Sequence, residues 1–132
     1  EAFTCFTLNL DNLSELTKRF GYTVGDGVLK DFAGLVQLMG DTEGMRGYNG
    51  VGRFVVFFEE CSSKKAAAMI RILDNQVEEY NSLNPEYPIR YTAAWATTEE
   101  TDTYEIRELL RLSQKKWKQM EKEKKDKTEE ET

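Results

Sequence analysis

The chain has 132 residues, 39% of them hydrophobic, and carries a formal net charge of −6. That length suits one domain with a sizeable core. The acidic surplus argues against a nucleic-acid partner, because a phosphate backbone is bound by surplus Lys and Arg. The sequence contains no histidine, which excludes His triads and His–metal sites.

The compartment is indicated by the cysteines and by the absence of any long apolar run. Cys5 and Cys61 form no CxxC pair, so we expect two free thiols in a reducing, cytoplasmic setting. No run is long enough to span a membrane, and we expect no membrane contact by this fragment. The chain starts at Glu1, in a strand-like pattern and without Met. We therefore interpret it as a piece of a longer protein, which could itself be membrane-anchored.

The first part of the chain predicts one strand and two helices. Alternating hydrophobic residues predict a strand over 3–10, and Asp11 with Asn12 forms an N-cap pair for a helix over 12–20 that ends at Gly21. A second helix is predicted over 24–39 and is closed by Gly40-Asp41. Its apolar residues recur at helical spacing and form one buried face, which contains Val28, Phe32, Leu35 and Met39.

A β-hairpin is predicted at the centre of the chain. One strand covers Met45 to Tyr48, Gly50 and Gly52 supply the turn, and a second strand covers 54–58. The second strand is too continuously apolar for an edge strand, which indicates cover on both faces. On local pattern alone an ordinary buried hairpin explains this stretch.

The rest of the chain predicts a helix, a strand and a long final helix. Ser62 and Ser63 cap a helix through about Tyr80, and residues 89–96 form a strand with small residues that allow close packing. The last helix carries one apolar stripe, made of Ile106, Leu109, Leu110, Trp117 and Met120. The domain should span 1–124, and residues 125–132, almost wholly charged, should form a disordered tail.

The order strand, helix, helix, strand, strand, helix, strand, helix predicts a ferredoxin-like α+β sandwich. Its central sheet should be mostly antiparallel, with helices on both faces. Both faces are covered if the paired first helices and the third helix divide between them.

Three motifs resemble a known family. Leu10-Asp11-Asn12-Leu13 resembles the first-strand motif D-x-D-x-F-K, and the stretch 21–29 resembles G-H-x-x-G-D-x-L-L. Gly50-Val51-Gly52-Arg53-Phe54 occupies the position of a signature hairpin. In this order and at this spacing, the chain over 3–124 resembles a GGDEF domain of the diguanylate cyclase family, whose fold is shared with nucleotide cyclases and polymerase palms. The resemblance implies a bacterial protein of cyclic di-GMP signalling.

The metal-binding positions of the family are substituted in this chain. The resemblance implies two Mg²⁺ ions held by the first carboxylate of the strand motif and by the third signature residue, but these positions are Asn9 and Gly52. The fourth signature residue, acidic in the family, is Arg53. Mg²⁺ requires anionic oxygen ligands. We therefore expect no catalytic residue, no metal site and no cofactor; Mg²⁺ would be expected only if the family activity were retained.

The resemblance also implies nucleotide contacts, which survive in part. Thr17 replaces a guanine-binding Asn and Met120 replaces a phosphate-binding Lys, whereas the basic residue one turn later is kept as Lys124. The product-inhibition motif would need Arg at Asp41 and Asp at Gly44. The vestigial nucleotide-binding candidates are Leu10, Asp11, Asn12, Leu13, Thr17, Asp26 and Lys124. Each survivor also has a plainer explanation: Asp11 and Asp26 as helix caps, Lys124 in a charged face, and Arg53 as a solvent-facing residue rather than a phosphate anchor.

The substitutions favour a catalytically inactive GGDEF-like regulatory or dimerisation module of a bacterial signalling protein. The hairpin face, with Tyr48, Asn49 and Arg53 at its tip, is the predicted contact for a protein partner or a second copy. Two alternatives stay open: a GTP-binding receptor without turnover, and an active diguanylate cyclase that makes cyclic di-GMP from GTP with unusual residues.

Overall fold

The structure is a computed structural model that describes residues 1–39, 45–48 and 52–131. Its elements are β1 (Thr4–Leu10), α1 (Leu13–Phe20), α2 (Tyr22–Gln37), β2 (Met45–Tyr48), β3 (Arg53–Phe58), α3 (Ser63–Leu83), β4 (Tyr91–Thr97) and α4 (Ile106–Glu131). This order confirms the predicted α+β arrangement. The expected end of the second helix at Gly40-Asp41, the hairpin residues 49–51 and the position of Gly44 lie outside the described residues.

The four strands form one antiparallel sheet in the order β2-β3-β1-β4. β3 pairs with β2 on one side and with β1 on the other, for example through Phe57 opposite Met45 and Phe58 opposite Thr4. β3 is therefore an interior strand, as its continuous apolar run predicts.

Helices cover both faces of the sheet, but their division differs from the expected one. Phe6, Leu8 and Leu10 of β1 point into a core that contains apolar residues of α1, α2 and α3 together: Leu16, Val28, Phe32, Ala66, Met69, Leu73 and Val77. The prediction that α3 lies opposite the first two helices was wrong. The opposite face is already occupied, because Cys5 and Ala96 pack there against Leu109 of α4.

The buried stripe of α4 is narrower than its sequence suggests. Leu109, Ser113 and Trp117 are buried at four-residue spacing, whereas Ile106 is 52% and Met120 37% exposed. Ser113 can be buried in this apolar stripe because its hydroxyl forms hydrogen bonds with Thr7 Oγ1 at 2.8 Å and with the carbonyl of Leu110 at 3.0 Å. α4 also continues to Glu131, so residues 125–131, expected in a disordered tail, are helical.

Both cysteines are buried free thiols, as predicted. Cys5 lies in β1, 3.4 Å from the Ser113 hydroxyl, and burial raises the pKa of its thiol to about 11. Burial also raises the pKa of Cys61. Both thiols therefore stay protonated at neutral pH. None of the described helices is both long and apolar enough to cross a membrane.

Gly25 fixes the close approach of α1 and α2. A Cβ at this position would lie 2.3 Å from Thr17 Oγ1, whereas a Cβ at Gly34 of the same helix would meet nothing within 4 Å. Gly25→Ala should therefore lower the free energy of unfolding by about 1–2 kcal/mol through overpacking. Gly34→Ala, the matched control, should raise it by up to about 1 kcal/mol through helix propensity. Urea denaturation measures both variants.

The cause of the Gly25→Ala effect is tested in a Thr17→Ala background. Without the Thr17 hydroxyl, the same Gly25→Ala change should become neutral or stabilising. An equal loss of stability in both backgrounds would show that the Thr17 contact is not its cause.

Candidate functional site

Asp11 stands at the end of β1, and both of its carboxylate oxygens accept hydrogen bonds. Asn9 Nδ2 donates to Oδ1 at 2.9 Å, and Thr92 Oγ1 donates to Oδ2 at 2.6 Å. Asp11 therefore links β1 to β4 and does not cap α1, which corrects the plainer explanation given above. Asn12 holds the N-cap position of α1 but makes no side-chain cap bond. Its amide instead binds the chain before β4, at the Pro88 carbonyl (2.7 Å) and the Arg90 N–H (3.1 Å).

Lys124 of α4 brings a positive charge to Asp11. Its ammonium donates to Thr92 Oγ1 at 2.6 Å and to the Tyr91 carbonyl at 3.0 Å, and lies 3.9 Å from Asp11 Oδ2. The side chains of Lys124 and Asp11 are 54% and 30% exposed, so the ion pair itself contributes little to stability. Lys124 is thus a cation positioned by hydrogen bonds to β4 and not only a member of a charged helix face.

Arg53 is turned inward rather than toward solvent, which corrects the sequence-based expectation. It pairs with Asn9 across β1 and β3, so its side chain lies on the face of the sheet that α4 covers. The guanidinium carbon lies 4.2 Å from the ring centroid of Trp117, a cation–π contact, and Nε is buried. Sequence reasoning placed Trp117 in the apolar stripe but gave no sign of this contact.

Gly52 has a backbone conformation that favours glycine. Its φ is +81°, and a Cβ would lie 3.3 Å from Leu13 Cδ2 and 3.5 Å from Leu10 Cβ. The Gly52 carbonyl accepts from the Leu10 N–H at 2.8 Å. A metal-binding side chain at Gly52 would therefore meet both backbone strain and the leucines beneath it.

Several other candidates are structural residues. Leu10 is buried, Leu13 packs against the same core, and Phe54 is a core residue whose ring contacts Phe32 at 5.6 Å between centroids. The side chains of these three residues thus contribute to the hydrophobic core. Gly50 and Val51, the other two residues of the signature hairpin, lie outside the described part of the chain.

Thr17 and Asp26 lie on α1 and α2. The Thr17 hydroxyl donates to the Leu13 carbonyl at 2.9 Å and lies against Gly25. Asp26 is in the second turn of α2, where it pairs with Lys30 at 3.0 Å, so it does not cap this helix. Thr17 and Asp26 thus make polar contacts within α1 and within α2, whereas Asp11 and Lys124 both bond Thr92 of β4.

An open groove of about 940 Å³ runs beside Asp11 and Lys124. Its charged lining consists of Asp11, Glu121 and Glu129 with Arg90, Lys124 and Lys125. The charges balance, so the groove offers no strong positive field to a polyanion. Nothing in the sequence indicates that Arg90, Tyr91 and Thr92 line this groove. A strand pattern does not show which hydroxyl or carbonyl will accept a hydrogen bond from a lysine.

The residues at Asp11 do not fit the Mg²⁺ ions that the resemblance implies. Asn9 presents an amide N–H to Asp11, Gly52 has no side chain, and the Lys124 ammonium already compensates the one carboxylate. Among the residues that the structure describes, no three His, Cys, Asp or Glu side chains are grouped to hold a metal ion. A dication placed here would be repelled by Lys124 and would find one carboxylate, Asp11, but no acidic ligand at position 9 or 52.

Comparison with known proteins gives a consistent family. A family model described as diguanylate cyclase, GGDEF domain, matches residues 1–127. No curated protein matches the chain.

The solved structures that resemble this one carry related descriptions. The active GGEEF domain of a diguanylate cyclase from Vibrio cholerae has a TM-score of 0.81 and 19% identity, over 93% of this chain and 78% of that chain. An EAL/GGDEF domain protein from M. capsulatus gives 0.74 and 14%, over 93% and 80%. The FimX GGDEF domain from Pseudomonas aeruginosa gives 0.69 and 17%, over 87% and 72%. At such identities these structures show a shared fold alone.

Paramagnetic Mn²⁺ can test whether the residues around Asp11 fail to bind a divalent metal ion. In amide NMR spectra of the wild type, millimolar Mn²⁺ should cause no selective broadening near Asn9, Asp11 and Thr92. The double variant Asn9→Asp with Lys124→Ala should gain such broadening, because two carboxylates then share a site without a competing ammonium.

The control variant combines Asn9→Asp with Lys122→Ala, which changes the net charge equally but keeps the Lys124 ammonium. It should bind Mn²⁺ more weakly than the first double variant. Selective broadening of the wild type to the same degree as the first double variant would contradict the account.

Proposed function

We propose that this chain, which belongs to the GGDEF domain family, is a catalytically inactive regulatory or dimerisation module of a bacterial cytoplasmic signalling protein. One observation carries the proposal. The Lys124 ammonium lies against Asp11 and Thr92, beside Asn9, at the end of the strand whose family motif is acidic. Asp11 is thus contacted by an ammonium and an amide, and among the described residues no group of three acidic side chains stands where the resemblance implies metal ions.

A fixed ammonium does not replace the chemistry of a metal ion. It can compensate the charge of Asp11, but it has no open coordination position in which to activate a hydroxyl or to clamp attacking and leaving oxygens. Phosphoryl transfer depends almost entirely on such positioning and charge stabilisation. The geometry therefore supports the absence of turnover more directly than the substitutions do alone.

The hairpin of β2 and β3 remains the proposed contact for a protein partner or a second copy. β2 is an edge strand of the sheet, and edge backbone groups are natural sites for strand addition. Arg53, first assigned to the exposed tip, stacks on Trp117 instead. The contact is therefore assigned to the edge of β2, without Arg53 as its anchor.

A GTP receptor without turnover is the second candidate, and two observations favour it. The groove carries three basic residues, Arg90, Lys124 and Lys125, and the Asp26 carboxylate survives with one third of its side chain exposed. Against it, Lys124 is engaged by Asp11 and the groove also carries three acidic residues. An active cyclase is the least supported alternative, because the two metal-binding positions that the resemblance implies are Asn9 and Gly52.

Purified protein incubated with GTP and either Mg²⁺ or Mn²⁺ should form no cyclic dinucleotide. Two-metal catalysis supplies many orders of magnitude in rate that positioning alone does not recover. Mass spectrometry of the reaction, with a no-protein blank and an active diguanylate cyclase as positive control, measures the product. Cyclic di-GMP above the blank would rule out the inactive domain.

Saturating GTP should leave the melting temperature unchanged. A ligand present at one hundred times its Kd would add about 2.7 kcal/mol to the free energy of unfolding, which a thermal scan detects readily. A clear shift that is lost in Asp26→Ala but kept in Lys30→Ala would instead establish the receptor. Lys30→Ala is the matched control, because it breaks the same ion pair and leaves the carboxylate in place.

A further inference from the structure

β4 is the second edge strand of the sheet, and its outward backbone groups can be assigned. The Asp11 N–H donates to the Arg90 carbonyl at 2.8 Å, and the Thr98 N–H donates to the Phe3 carbonyl at 3.0 Å. Even-numbered residues of this stretch therefore bond β1. Because successive residues of a strand point their backbone groups to opposite sides, the odd-numbered ones face outward. These are Tyr91, Ala93, Trp95 and Thr97.

The composition of β4 makes its edge prone to pairing with a strand of another chain. Its sequence, Tyr-Thr-Ala-Ala-Trp-Ala-Thr, contains no charged residue, no proline and no glycine. Uncharged segments of this length with β-forming residues readily add to a strand of another chain when their edge is open.

Three of the outward groups are bonded by charged side chains. Lys124 Nζ donates to the Tyr91 carbonyl at 3.0 Å, and Lys116 Nζ donates to the Trp95 carbonyl at 3.2 Å. Glu100 Oε2 accepts from the Thr97 N–H at 2.8 Å, and its other oxygen forms an ion pair with Lys116. Of the outward backbone groups, the carbonyls of Tyr91 and Trp95 and the N–H of Thr97 are therefore occupied within the chain.

The spacing of the lysines matches the spacing of the carbonyls. Eight residues from Lys116 to Lys124 rise about 12 Å along a helix, and four residues from Trp95 to Tyr91 advance about 13 Å along a strand. α4 thus runs antiparallel to β4 with both ammonium groups in register. Leu109 and Trp117, both buried, hold the helix on the sheet in this position.

We propose that Lys116, Lys124 and Glu100 seal the edge of β4 against strand addition by a second copy of this chain. The seal leaves β2 as the sheet edge for partner contact. Since it depends on hydrogen bonds to the backbone of β4 and not on the metal positions, the inference holds whether or not the domain binds or converts a nucleotide.

The test compares two double variants with equal change of charge. The first double variant, Lys116→Ala with Lys124→Ala, removes both lysine hydrogen bonds to β4. The second, Lys118→Ala with Lys122→Ala, changes two exposed lysines of the same helix that make no described contact to β4. Light scattering after size exclusion, over rising protein concentration, should give at least a doubled mass for the first variant only. Hydrogen exchange should then show new protection of the Ala93 and Trp95 amides.

Further variants keep the test decisive if the first one loses its fold by circular dichroism. Each single Lys→Ala variant retains one lysine hydrogen bond to β4 and should associate more weakly than the double Lys→Ala variant. The double variant Lys116→Arg with Lys124→Arg retains both donors and should match the wild type. Folded Lys→Ala variants with the mass of the control would overturn the proposal. Protection of the outward β4 amides by association of the wild type would overturn it as well.

Discussion

The arrangement of the candidate site depends on the contacts of one ammonium group, that of Lys124. Lys124 of α4 reaches Thr92, the Tyr91 carbonyl and the Asp11 carboxylate, and thereby joins the last helix to β1 and β4. Its partial exposure limits the Coulomb energy, so its importance is positional. Asp11 is compensated within the chain, α4 is held in register with β4, and the carbonyl at one end of the sheet edge is occupied.

The substitutions at the site share one physical effect, because each disfavours a bound metal ion. Asn9 and Arg53 are opposite each other on β1 and β3, on the face that α4 covers, and Arg53 stacks there on Trp117. Two cationic side chains, Arg53 and Lys124, thus lie on a face where the resemblance implies metal ions. Each would raise the free energy of a bound dication, even in partly screened surroundings. The positive φ of Gly52 further limits a return to an acidic residue there.

The strands, the helices and the interior position of β3 could be predicted from the sequence, because periodicity and turn residues are local signals. Periodicity identifies the buried residues of an element but not the sheet face they meet, so α3 was assigned to the wrong face. Asp11, Arg53 and Ser113 were misjudged or missed for a related reason. Their partners lie 81, 64 and 106 residues away, at Thr92, Trp117 and Thr7, and no local pattern specifies them.

Calorimetric titration of GTP with Mg²⁺ into the wild-type domain tests the central claim most directly, since it measures whether the substituted cleft binds the metal–nucleotide complex at all. With Lys124 on Asp11 and a neutral amide at Asn9, we expect only heats of dilution. A saturable heat of binding that requires both GTP and Mg²⁺, and that disappears in Asp11→Ala, would contradict the account. It would show that the domain binds the nucleotide through a metal despite the Lys124 ammonium beside Asp11.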